Sequence, residues 1–239
     1  MLMCVAFDLD DTLYLERDYV RSGFDAVGRW VKANLGVEDF GARAWELFEL
    51  GRRGDIFDVA LREAGLPQDA KTVEILVDIY RQHHPHIFLS EDTRCCLQSL
   101  RQRAKLALIS DGWAQSQRRK IEALGIASFF DLIVLTAELG TGFAKPHPAA
   151  FEKVERQFHA ESNCCVYVAD NPNKDFLEPK LRGWMTIRVR RPGGLHSSLD
   201  APGGRQAGRE IEDLSGLIAL IEGSLSNCLR EYPNKHENN

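Results

Sequence analysis

The apolar positions of this chain change rhythm twice. A short run, Met3-Cys4-Val5-Ala6-Phe7, gives way abruptly to acids at Asp8, Asp10 and Asp11. That pattern predicts a buried strand with polar groups at its C-terminal end. From about Tyr19 to His84 the spacing turns helical. Val20, Phe24, Val27 and Val31 recur at three- and four-residue steps, as do Val73, Leu76, Val77 and Tyr80. Ala44, Trp45 and Phe48 form a third stripe, and Ile56, Val59 and Ala60 a fourth. Gly36, Gly51, Gly54, Gly65 and Pro67 fall between them as stops and turns. The prediction is four short helices with no strand among them, a compact helical insert.

From Glu91 the chain alternates helix and strand. Helices are expected over 92–103, 114–124, 148–158, 174–181 and 213–222, and strands over 106–109, 131–135, 165–168 and 185–189. Such alternation means parallel strands joined by crossovers. The predicted fold is α/β: a doubly wound, Rossmann-like parallel sheet over 1–14 and 88–239, interrupted by the helical insert over 15–87. The Gly-, Pro- and Ser-rich stretch 191–208 reads as an exposed loop, and the polar end after Tyr232 as frayed.

Composition adds exclusions. A net charge of −5 gives no electrostatic ground for nucleic acid or an anionic membrane as partner. No apolar run approaches the ~20 residues needed to span a bilayer, and the first residues carry no basic leader. Six cysteines, Cys4, Cys95, Cys96, Cys164, Cys165 and Cys228, match neither a zinc spacing nor a secreted disulfide framework. Reduced thiols in a cytoplasmic protein, monomer or homodimer, are the expectation.

The candidate chemistry gathers after four apolar segments. Asp8-Leu9-Asp10-Asp11-Thr12 packs three carboxylates within four residues. They repel one another unless a cation gathers them, and Mg²⁺ is the natural choice because it takes hard oxygen ligands; the alternative is an acidic turn. Ser110-Asp111-Gly112 offers a hydroxyl and flexible amides able to hold a phosphoryl group, or else a helix N-cap. Lys145, between Ala144 and Pro146, is a stiffly held lysine or a plain surface one. Asp170, with Asp175 five residues on, completes a magnesium site or caps a helix. Ligands of α/β sheets bind at the C-terminal ends of parallel strands, where all four clusters fall.

In this order the residues resemble the haloacid dehalogenase superfamily, over roughly residues 3–190: Asp-x-Asp-x-Thr at 8–12, then Ser110, then Lys145-Pro146, then Asp170 and Asp175. Ala169 stands where that family usually has glycine. The helical insert resembles the family's first class of cap domain. The resemblance implies a magnesium-dependent phosphatase acting on a small phosphorylated metabolite such as a sugar phosphate, through an aspartyl-phosphate. It implies Asp8 as nucleophile, Asp10 as general acid/base and Ser110, Asp111, Gly112 and Lys145 as the phosphate clamp. Asp8, Asp10 and Asp170 would hold Mg²⁺, with Asp175 as an outer carboxylate near Lys145 and Asp11 a spectator. A phosphomutase needs the same acid/base, and a non-catalytic binding protein is the third reading. Arg52 and Arg53, between insert helices, could select substrate or merely form a solvated turn. His83, His84 and His86 read as a hinge loop and not a metal tract, and Trp30 and Trp45 as core of the insert.

Overall fold

The computed structural model describes residues 3–231, with side chains described through Ser224. The end after Tyr232 and the Cys228 side chain lie outside the described residues. The chain divides into two compact units: Met1–Leu15, Leu89–Gly112 and Ile126–Asn239 form one, and Glu16–Phe88 with Trp113–Gly125 the other.

The first unit is built on six parallel strands: β1 (Cys4–Phe7), β2 (Lys105–Ser110), β3 (Leu132–Leu135), β4 (Cys165–Ala169), β5 (Met185–Val189) and β6 (Arg209–Ile211). Their order across the sheet is β3-β2-β1-β4-β5-β6. Chain order runs outward in one direction from β1 to β3 and in the other from β4 to β6, so the order reverses between β1 and β4. Ligand crevices of doubly wound sheets open at such a switch point. β1, β2, β3 and β4 are nearly continuous apolar runs because both faces are covered. On one face Cys4, Ala6, Ala107, Ile109, Cys165 and Tyr167 pack against Phe151 and Val154 of a helix, Ala149–Phe158. Each of those large side chains stabilises by roughly 1.5–3 kcal/mol on burial.

The second unit holds α1 (Glu16–Leu35), α2 (Phe40–Glu49), α3 (Ile56–Glu63) and α4 (Ala70–Gln82). The predicted four helices are there, although α1 runs 20 residues, since nothing breaks its stripe before Gly36. Gly28 and Gly41 let α1 and α2 approach closely, because a Cβ on Gly28 would stand 2.9 Å from the Gly41 amide nitrogen.

Three expectations need correction. The helix Ala114–Leu124, read as part of the sheet unit, groups with the helical one: Ser116 Oγ donates to the Arg81 carbonyl at 2.9 Å, and Lys120 lies over the Tyr19 ring. β6 has no signal in the apolar pattern, since Arg-Glu-Ile on an edge carries no apolar run. The stretch 191–208 is not simply an exposed loop. Arg188, fully buried, donates to the carbonyls of His196 and Leu199 at 2.8 Å each, and Arg190 to that of Ser197 at 2.7 Å. Arginines in and after β5 satisfy the carbonyls of this segment and draw it against the strand ends.

Candidate active site

Strand ends deliver the polar residues. Asp8 is the first residue past β1, and its amide donates to the Val168 carbonyl at 2.9 Å. Asp170 is the first residue past β4, and Ser110 is the last residue of β2. The register aligns Phe7 with both Leu108 and Val168, so these groups leave the sheet side by side.

Lys145 lies at the centre. Its Nζ stands 2.5 Å from Asp8 Oδ1, 2.8 Å from Asp175 Oδ1 and 2.9 Å from the Tyr167 hydroxyl, and all four side chains are buried. Burial alone lowers an ammonium's pKa, but Asp175, Asp8 and Asp111 more than offset it and hold Lys145 above its usual range. Asp111 is pinned by the Thr136 hydroxyl at 2.8 Å, the Lys145 amide at 3.1 Å and Lys174 Nζ at 3.2 Å. Burial raises its carboxyl, yet Lys145 and Lys174 leave it below the ordinary value.

Beside the lysine, oxygens of Asp8, Asp170 and Asp175 come within 4.8 Å of one another, and Asp11, Asp170 and His196 form a second such group. Burial pushes the carboxyls of Asp8 and Asp170 up to about 6. Buried carboxylates this close are costly when ionised, and a hard divalent cation relieves that cost with oxygen ligands of the right kind. The donor set fits Mg²⁺.

The haloacid dehalogenase-like hydrolase family matches residues 2–177. The chain belongs to that family. This hydrolase is 30% identical over 203 residues to the glyceraldehyde 3-phosphate phosphatase of Methanopyrus kandleri, covering 80% of this chain and 85% of the relative. It is 30% identical over 140 residues to the phosphoserine phosphatase of Thermus thermophilus, covering 58% of this chain and 55% of the relative. The crystal structure of 2-haloacid dehalogenase from Pseudomonas syringae pv. Tomato shares the fold, with a TM-score of 0.63 at 22% identity, over 95% of this chain and 100% of the other.

In this hydrolase Asp8, Ser110, Asp111, Lys145, Asp170 and Asp175 belong to one unit, their segments meeting at the strand ends. Ser110 does not cap a helix, since the capping position before Ala114 is Trp113, with no side-chain cap. Gly112 takes a φ of 105°, which only glycine adopts readily. Asp10 belongs to neither carboxylate group, and its Oδ1 accepts a short hydrogen bond from the Tyr14 hydroxyl. Asp11 is not exposed: it is buried, and its Oδ2 accepts the Leu195 amide at 2.7 Å.

Arg52 and Arg53 lie in the helical unit. Arg52 pairs with Asp55 at 2.6 Å, and Arg53 stacks on the Phe48 ring while donating to the Phe48 carbonyl at 2.7 Å. Trp45, half-buried, stacks on Phe48 and lies beneath Arg17 and Arg21. His83 is buried against Tyr19, and its Nδ1 meets the Tyr80 carbonyl at 2.6 Å. Among the described residues no metal-capable group includes it, His84 or His86. Cys4, Cys96, Cys164 and Cys165 are buried free thiols and Cys95 an exposed one. No described helix is long and apolar enough to cross a membrane.

Tyr167, Lys174, Thr136 and His196 escaped the sequence reading. Tyr167 is hidden in an apolar strand, and Thr136 follows one without a motif. Lys174 stands beside Asp175, which could have drawn notice to it. Nothing local marks His196.

Proposed function

We propose that this hydrolase is a magnesium-dependent phosphatase that cleaves the phosphate monoester of a small metabolite through an aspartyl-phosphate on Asp8. The observation that carries the reading is the buried Lys145 ammonium held between Asp8 and Asp175, two carboxylates that with Asp170 bring oxygens within 4.8 Å of one another. The relatives named for glyceraldehyde 3-phosphate and phosphoserine phosphatase activity support a small phosphorylated substrate.

In this reading Asp8, Asp170 and Asp175 hold or surround the Mg²⁺, which when bound supplies positive charge against the phosphoryl oxygens. Lys145 keeps Asp8 ionised and oriented, and with Ser110 and the amides around Gly112 it stabilises charge on the transferring group. Asp8 attacks phosphorus, the P–O bond to the leaving alcohol breaks, and Asp10 gives that alcohol its proton. Asp10 then takes a proton from water, whose oxygen attacks the phosphorus of the aspartyl-phosphate. Phosphate leaves and the Asp8 carboxylate is restored. Tyr14, bonded to Asp10, orients that acid. Arg52 and Arg53 of the helical unit are its specificity residues, and the protein works in the cytoplasm.

The test is a panel of phosphorylated metabolites assayed for phosphate release with Mg²⁺ and with EDTA. Release of free phosphate that stops on chelation supports the reading. A phosphorylated isomer formed without free phosphate would make the protein a mutase. No turnover of any phosphate ester, in protein shown to bind Mg²⁺, would leave a binding protein on this fold.

A further inference from the structure

We infer that His196, carried by the segment after β5, is a positioning residue of the metal site: it donates a hydrogen bond to one oxygen of Asp170 and so orients the other toward the cation. The inference rests on the magnesium site of the proposed function and adds a residue to it.

A chain of three hydrogen bonds fixes the imidazole's polarity. The Asn173 amide donates to Asn171 Oδ1 at 3.0 Å, so the side-chain amide of Asn171 must present Nδ2 on its other side. That Nδ2 lies 3.2 Å from His196 Nε2. An amide nitrogen only donates, so Nε2 is the acceptor and the neutral ring carries its proton on Nδ1. Nδ1 lies 2.8 Å from Asp170 Oδ2 and donates to it. A protonated Nδ1 cannot ligate a metal, so His196 acts through Asp170. Its hydrogen bond occupies one carboxylate oxygen and leaves Oδ1 for the ion. Partners behind a ligand set its orientation and basicity, and losing one typically weakens metal binding by roughly 10–100-fold.

The segment is held for this task. Arg188 donates through Nε to the Asp170 carbonyl at 3.1 Å and through Nη2 to the His196 carbonyl at 2.8 Å, tying both residues to one guanidinium. The Leu195 amide holds Asp11 Oδ2, so both neighbours in the turn touch the acidic cluster. At Gly194 a Cβ would stand 3.1 Å from the Arg191 carbonyl and 3.5 Å from Asp11 Cγ, which keeps the backbone close to that acid.

Calorimetric titration of MgCl2 into the metal-free full chain tests this without using turnover. His196→Ala should raise the Mg²⁺ dissociation constant about 10–100-fold in protein that remains folded in EDTA. His196→Asn places an amide donor near the position of Nδ1 and should restore the affinity to within a few-fold. His196→Gln, whose amide reaches the position of Nε2 instead, should not. Wild-type affinity in His196→Ala, or His196→Asn binding no better than His196→Gln, would overturn the inference. The comparison of Asn with Gln stands even where the alanine variant fails to fold. Asp170→Asn is the control for the site. If the parent binds no Mg²⁺, or Asp170→Asn binds as the parent does, the metal reading itself fails and not merely the role of His196.

Discussion

The Tyr167 hydroxyl stands 2.9 Å from Lys145 Nζ, inside a site that no solvent reaches at either side chain. Lys145 donates to the phenol oxygen, and the phenol passes its own proton toward Asp175 Oδ1 at 3.3 Å. A tyrosine from the middle of a core strand thereby completes the lysine's coordination. Burial, with Asp175 second, raises its hydroxyl pKa, so the phenol stays protonated and able to donate. Tyr167→Phe should therefore cost about 1–2 kcal/mol of stability and leave the fold intact. Urea unfolding checks this: the midpoint should fall with no change in slope.

Removing the lysine should be far worse. Lys145→Ala leaves Asp8 and Asp175 buried without their shared cation, and breaking a buried pair typically costs about 3–5 kcal/mol. Added Mg²⁺ should recover more stability in this variant than in the parent, because a second cation then enters a site that has lost its first. A melting-temperature series with EDTA and with MgCl2 measures the difference. Equal gains in both proteins would mean the ion and the lysine do not share these carboxylates.

Protonation of the metal-free site predicts a pH dependence. Asp8 and Asp170 sit near 6 in the folded protein against an ordinary 3.8. A raised carboxyl holds its proton more tightly when folded, so its stabilisation is complete below pH 3.8 and lost as pH rises through about 6. Each group is worth on the order of 1–3 kcal/mol over that window. In EDTA, stability should fall between about pH 4 and 7, and Asp170→Asn should flatten that fall. Mg²⁺, which selects the ionised form, should flatten it in the parent. An Asp170→Asn protein with the parent's slope would contradict the account.

Arg191 ties the loop after Asp8 to the body of its unit. It donates to the Thr12 carbonyl at 3.0 Å, to Asp92 Oδ2 at 2.8 Å and to Thr93 Oγ1 at 2.6 Å. Burial raises the Asp92 carboxyl, but the Arg191 hydrogen bond and others hold it down to about 2. A double-mutant cycle of Arg191→Ala with Asp92→Asn should give a coupling of about 0.5–3 kcal/mol. Arg191→Ala alone should also slow hydrolysis by loosening the chain next to Asp8.

Much of this was legible in the residues because the strands that carry Asp8, Ser110 and Asp170 are short apolar runs that stop at a polar group. Their hydrophobic burial and the polar residues at their ends are written in adjacent letters. The helical unit was legible for a similar reason, as Val20, Phe24, Val27 and Val31 make a single face. What could not be read depends on contacts across the chain. β6 forms because β5 offers an unpaired edge, not because Arg209-Glu210-Ile211 favours a strand. His196 reaches Asp170 because Arg188 gathers carbonyls of the intervening segment, and a Gly/Pro-rich composition says only that the backbone can turn. The placing of Ala114–Leu124 rests on side chains such as Ser116 and Lys120 meeting partners far earlier in the chain.

In the proposed reaction Asp8 makes and breaks a bond to phosphorus. Phosphate release by Asp8→Asn, measured with MgCl2 on the best substrate of the parent, tests it directly. The amide keeps the side chain's shape but is a far poorer nucleophile, so turnover should drop by roughly 10³-fold or more while the melting temperature stays at or above the parent's. Turnover by a folded Asp8→Asn protein within about tenfold of the parent would contradict the account.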